Sequence, residues 1–229
     1  MEHIQGDTPI IPSSIPVYIP TSNLRRVQEM VHLLGINRSI LDFSVHENLH
    51  FEDLYVVDVS HAGHFSTRRA NLWDCYLPQA ASIQRLISHF KQHLPPSTQP
   101  NNLFIYAKRS GGARSFEDPD NLIEALLHSW ATEHNLELII FEGKEPLMEQ
   151  IQLFQRCHTL FGIHGAGLTN ILFTEHCHLV EIPIHGNCNT LFQEISEITG
   201  DHHILCSVTC EYQGSITVTS DVLQAITVA

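Results

Sequence analysis

The chain has 229 residues, 43% of them hydrophobic and 16% charged, with 12 Lys+Arg against 25 Asp+Glu and a formal net charge of −13. That balance opposes the broad basic surface needed for nucleic acid or an anionic membrane, so neither is an expected partner, and any polyanionic ligand must be met by a local group of cations. No run of about 18 apolar residues occurs, and the start MEHIQGDTPIIPSS lacks the basic and apolar regions of a signal peptide; a soluble, cytoplasmic chain with no membrane segment is expected as the sequence stands.

Four of the eleven prolines fall in the first twenty residues, an irregular lead-in. Leu24, Val27, Val31 and Leu34 then form a helical stripe that Gly35 ends. Leu54 to Val59 reads as a strand and runs into a polar loop carrying His61. A second stripe, Ala80, Ile83, Leu86, Ile87 and Phe90, predicts another helix. The proline-rich LPPSTQPNN after it is the clearest break in the chain, dividing residues 1–94 from 103–229 with a linker at 95–102.

Beyond the linker the pattern becomes regular. Leu103 to Tyr106 reads as a strand. Asp118 is placed to cap a helix with Pro119 at its first position and Leu122, Ile123, Leu126, Leu127 and Trp130 on its buried face. A strand at Leu138 to Phe141, a helix at Leu147 to Arg156 and a strand at Thr159 to Ile163 follow. His164-Gly165-Ala166-Gly167 then turns into a short helix, and strands at Leu179 to Ile182 and His203 to Ser207 flank a helix at Thr190 to Thr199. Strands alternating with helices at this spacing predict an α/β fold, a Rossmann-like parallel sheet covered on both faces, which binds ligands at the carboxyl ends of its strands.

Six cysteines scattered without CxxC spacing predict reduced, mostly buried thiols. Seventeen histidines raise the question of a metal, most sharply around Cys157-His158, His164 and His176-Cys177-His178. No HExxH accompanies them, and surface or satisfied histidines are the expectation, with no metal ligands assigned.

The glycine turn carries the chemistry. Glycines let a backbone approach an anion, and the N–H groups opening the next helix carry partial positive charge toward it. The position of a third dinucleotide-fingerprint glycine is held by Asn170, and Gly111-Gly112 lacks the Gly-Lys-Ser/Thr ending of a P-loop. By spacing alone, a phosphate cradle and a tight structural turn stay equally open. Lys108, Arg109 and Arg114 flank the Gly111-Gly112 loop and are the nearest local cations, with Arg68 and Arg69 a second pair.

The segments IYAKRSGGARSF, EQIQLFQRCHTLFGIHGAGLTNILF and HLVEIP resemble, in order, glycosyltransferase family 61. The resemblance implies a GT-B architecture with the donor bound mainly by the C-terminal Rossmann-like half, the N-terminal acceptor-side half being reduced or truncated. It implies inverting, metal-independent hexosyl or pentosyl transfer, with no cofactor, from a nucleotide-sugar, here a UDP-sugar, to a glycan or protein-linked acceptor. A chain that is a fragment of a longer eukaryotic protein would instead belong in the Golgi or ER lumen. A catalytically inactive nucleotide-sugar or glycan-binding module is the competing expectation.

In that frame Arg109, Arg114 and the N–H groups of Gly165, Ala166, Gly167 and Leu168 face the diphosphate. Glu181, near a strand end, accepts from the ribose hydroxyls. His164 donates to phosphate or sugar, or else orders the turn, and Asn170 contacts the nucleotide or caps the turn. Gln150 steadies the glycine loop. Asp58 and His61, at the end of the Leu54 to Val59 strand, are the candidate general bases for the acceptor hydroxyl.

Overall fold

A computed structural model describes residues 17–19, 24–33, 35, 40–42, 63–64, 77–78, 80–109, 113–186 and 190–227. The elements in chain order are β1 (Val17–Ile19), α1 (Leu24–Leu33), β2 (Ile40–Asp42), β3 (Gly63–His64), β4 (Leu77–Pro78), α2 (Ala80–His93), β5 (Leu103–Ala107), β6 (Phe116–Glu117), α3 (Leu122–Glu133), β7 (Glu137–Phe141), α4 (Leu147–Phe154) and β8 (Cys157–Ile163). A 3₁₀ helix (Ala166–Phe173), β9 (His178–Ile182), α5 (Leu191–Thr199), β10 (His202–Leu205), β11 (Ile216–Thr217) and α6 (Ser220–Thr227) complete the series. The expected Leu54 to Val59 strand lies outside the described residues, as do Asp58, His61, Arg68, Arg69 and the Gly111-Gly112 pair.

Five strands form one parallel sheet in the order β10-β9-β8-β5-β7, the expected α/β, Rossmann-like arrangement. β5 is buried at every position, and β8 at all but His158. Side chains of a strand alternate between faces, so Leu103, Ile105 and Ala107 join one apolar cluster with Leu160 and Leu179, while Phe104 and Tyr106 join another with Phe161 and Ile182. The first cluster packs Ile83, Ile87 and Phe90 of α2, Ile151 and Phe154 of α4, and Phe192 and Ile195 of α5. The second packs Ile123, Leu127 and Ala131 of α3 and Ile226 of α6. Burying an aromatic or branched aliphatic side chain contributes about 1.5–3 kcal/mol each, so the sheet is the rigid part that carries the site.

The strand order has one consequence for function. From β5 the chain crosses to β7 on one side, then returns through α4 to β8 on the other side of β5 and continues outward to β9 and β10. The direction of winding therefore reverses between β5 and β8, and the loops leaving their carboxyl ends part to opposite sides, opening a crevice there. Those loops begin at Lys108 and His164.

Three local expectations are corrected. The segment after the glycine turn is a 3₁₀ helix, not an α-helix: the Leu168 N–H closes back on the Gly165 carbonyl at 3.0 Å, three residues away. α3 begins at Leu122 rather than at Pro119. Asp118 still caps it, with Oδ1 accepting from the Leu122 N–H and Oδ2 from the Ile123 N–H, both at 2.8 Å, but Pro119 and Asp120 form the turn between and Asn121 adopts φ 54 to let the chain enter the helix. Leu122 consequently lies 42% exposed instead of on the buried face. β6 and β11 were not expected, since two-residue strands carry no usable period, and neither was the helix α6.

Candidate active site

β5 ends at Ala107 and β8 at Ile163, and here Ala107 pairs with Gly162. A Cβ added at Gly162 would lie 3.2 Å from both the Ala107 Cβ and the Ala107 carbonyl, and one added at Gly167 would lie 3.3 Å from the Ala107 Cβ. Small residues on both sides thus let the glycine turn settle against the end of β5. This brings Arg109 onto the turn. The Arg109 Nη1 atom sits 2.7 Å from where a Gly165 Cβ would be. Gly165 itself has φ 167, an extended conformation open to any residue, so it is glycine because the guanidinium takes the space of its side chain.

Arg114 reaches the same place from the other side of the loop. Its Nη1 donates to the His164 carbonyl at 3.4 Å, its guanidinium carbon stands 5.3 Å from the centre of the Tyr212 ring, and its backbone N–H donates to the Gly214 carbonyl at 2.6 Å. Arg114 is held at φ 62, an uncommon conformation for a residue with a side chain. The paired strands β6 and β11 hold that loop, with Ser215 and Thr217 both donating to the Glu117 carboxylate and keeping it below its ordinary value.

Among the described residues, neither Arg109 nor Arg114 pairs with a carboxylate, and the buried Nε of Arg114 has no hydrogen-bond partner. Burial, and then the charge of Arg114, push the Arg109 guanidinium below its usual value. Two cations held together without an acid are the electrostatic mark of an anion site. Lys108, by contrast, is committed: its Nζ meets Glu124 of α3 at 2.5 Å, away from the turn.

Ala166 is exposed, and Gly165 and Gly167 are half-buried, at the open start of the 3₁₀ helix. The first N–H groups of a helix lack intrahelical acceptors, which leaves this end suited to an anion. Leu168 does not join them. Its N–H is used on Gly165 and its side chain is fully buried. Asn170 Nδ2 donates to the Gly167 carbonyl at 3.3 Å, which makes it a cap of this turn. Gln150, only 2% exposed, donates to the Glu145 carbonyl at 2.7 Å, which braces the turn that starts α4.

Glu181 has partners that the sequence did not suggest. It lies on β9, 3% exposed, with one carboxylate oxygen accepting from His164 Nδ1 and the other from His203 Nε2 at 2.6 Å. Burial opposes its charge, but the hydrogen bonds from His164 and His203 outweigh that and hold the carboxyl below its ordinary value. Each oxygen thus accepts from one imidazole, and the side chain as a whole is only 4% exposed. The His164 ring is further fixed edge-on against Phe192 of α5, with centroids 5.0 Å apart.

The structure therefore gathers Arg109, Arg114, His164, Gly165, Ala166, Gly167 and Glu181 at the carboxyl ends of β5, β8 and β9. Asp58 and His61 lie outside the described residues. His203, Tyr212 and Gly214 were missed; they come from the chain after β9, where no motif marks them. Among the described residues no group of three His, Cys, Asp or Glu side chains has metal-binding geometry, and Cys157 and Cys177 meet as buried thiols with sulfurs 3.6 Å apart.

A parallel five-stranded sheet with helices on both faces, two arginines and a glycine turn at its switch point, defines the class as a Rossmann-like α/β protein. The chain belongs to the glycosyltransferase 61 family, whose model matches residues 8–180. Family membership makes it a glycosyltransferase acting on a sugar donor and an acceptor. No curated protein sequence matches it. No helix among the described residues is long and apolar enough to cross a membrane.

Proposed function

We propose that the protein transfers a hexose or pentose from a UDP-sugar to a glycan or protein-linked acceptor, with inversion and without an obligatory metal. The observation that carries this is the meeting of Arg109 and Arg114, unpaired with any carboxylate among the described residues, on the glycine turn. In the transfer, the acceptor hydroxyl oxygen bonds to the anomeric carbon while that carbon's bond to the diphosphate oxygen breaks, and the hydroxyl proton passes to a base. Negative charge grows on the departing diphosphate. Preorganised guanidinium groups and N–H groups are most effective against charge that develops in the transition state, and here they supply the role a divalent cation has elsewhere. In this GT-B reading residues 103–229 form the donor half, and Asp58 or His61 is the base that accepts the proton.

Release of UDP from a panel of UDP-hexoses and UDP-pentoses, in chelator and with and without acceptor glycans, tests this directly. Expected is UDP release with at least one donor, undiminished by chelator. Binding of UDP without release from any donor, or an absolute need for added metal, would contradict it.

A further inference from the structure

The carboxylate of Glu181 is buried and held by an imidazole on each oxygen, yet it lies at the ligand-binding edge of the sheet. His164 and His203 meet it from neighbouring strands on either side: His164 follows β8, Glu181 is on β9, and His203 is on β10. Their side chains are 11% exposed and that of Glu181 is 4% exposed. Since an ionised carboxylate only accepts, each ring must present an N–H to it, Nδ1 of His164 and Nε2 of His203. The choice of nitrogen matters for His164. With Nδ1 turned inward to Glu181 and the ring clamped by Phe192, Nε2 is the nitrogen that remains to face a ligand beside Gly165.

We propose that Glu181 is a positioning residue, acting through His164: it fixes the ring and its tautomer so that Nε2 meets the donor's diphosphate, and it does not read the ribose. This rests on the donor assignment made above. His203 completes the arrangement by occupying the second oxygen. The buried charge is thereby satisfied on both sides, and the carboxylate is prevented from rotating toward the ligand or releasing the ring. A ribose hydroxyl could reach a remaining lone pair only on a side chain that is 4% exposed, whereas the imidazole is already seated on it.

Three measurements on the full chain test the proposal. In the ligand-free protein, long-range ¹H–¹⁵N correlation of the histidine rings should show the His164 proton on Nδ1. A proton found only on Nε2 overturns the proposal without any variant. Calorimetric titration should then show Glu181→Gln weakening UDP about tenfold or more while uridine changes by less than about twofold, with Glu181→Asp recovering part of the loss. Equal losses for UDP and uridine would restore the ribose contact and overturn the proposal. Last, Glu181→Gln made on top of His164→Asn should add little further loss of UDP affinity, because the ring through which it acts is gone. A full additional loss overturns action through His164. Failure of the donor assignment would look different: the wild-type ring carries its Nδ1 proton, but UDP does not bind.

Discussion

Two buried carboxylates stand at opposite ends of the same pair of strands and are satisfied in different ways. Asp201, 9% exposed, precedes β10 at the amino end of the sheet. It accepts from the Thr174 and Thr199 hydroxyls at 2.7 and 2.6 Å and from the Cys177 N–H at 2.7 Å. Glu181, at the carboxyl end of β9, accepts from two imidazoles. Hydroxyls and amides keep their protons across the physiological range and simply tie a loop to a helix, whereas an imidazole has a second nitrogen that can serve a ligand. The same device, a buried acid with its donors, is a fastener at one end of the sheet and an aiming device at the other. Position explains the difference: only the carboxyl ends face the crevice where the winding reverses.

The contrast has measurable consequences. Asp201→Ala removes the acceptor of a buried N–H and two hydroxyls and should lower stability by about 2–4 kcal/mol, read from urea unfolding, with UDP affinity of the folded fraction unchanged. Gly165→Val should do the reverse. Its Cβ would fall 2.7 Å from the Arg109 guanidinium, the tip of a flexible side chain that can move aside, so the fold survives and calorimetry should show UDP binding lost by about 2–3 kcal/mol. Arg109→Gln and Arg114→Gln should each cost UDP about 1.5–3 kcal/mol and uridine far less; equal losses for both ligands would point to misfolding.

Smaller effects concern Glu181 and its neighbour. Its folded carboxyl lies below the ordinary unfolded value of about 4.3, so its contribution to stability is present above that value and is lost as pH falls through the lower folded one. The stability advantage of wild type over Glu181→Gln, measured by urea midpoint at pH 6, should therefore shrink as the pH is taken below about 4. Burial, then the charge of Glu181, push the Cys206 thiol up to about 11. Alkylation of Cys206 at pH 8 should be slow in the native protein and fast once it is unfolded.

What the sequence made legible follows a physical line. The central strands and the helices α2, α4 and α5 were readable because a buried strand and an amphipathic helix impose a period on consecutive residues. The glycine turn and both arginines were readable as a motif. The use of Gly165 was not: its open side makes room for Arg109, fifty-six positions earlier, and no local pattern records that. The two arginines were placed together by chain topology, which the alternation of elements implied. The partners of Glu181 were not visible, because His203 lies on an edge strand, twenty-two residues on, with no motif around it. Its charge was read as a ligand contact, and the two imidazoles that the fold sets on it were not foreseen. Leu168 was misjudged for a similar reason, since a 3₁₀ turn spends an N–H that an α-helix would have left open.

The claim on which the rest depends is that Arg109, Arg114 and the glycine turn hold the diphosphate of the donor. Titration of UDP and of uridine into the wild-type protein in chelator, repeated with Arg109→Gln and Arg114→Gln, tests it most directly. UDP should bind the wild type more tightly than uridine by at least about tenfold, and each substitution should remove most of that difference. Equal affinity for the two ligands in the wild type, or a preference for UDP that survives both substitutions, would contradict it.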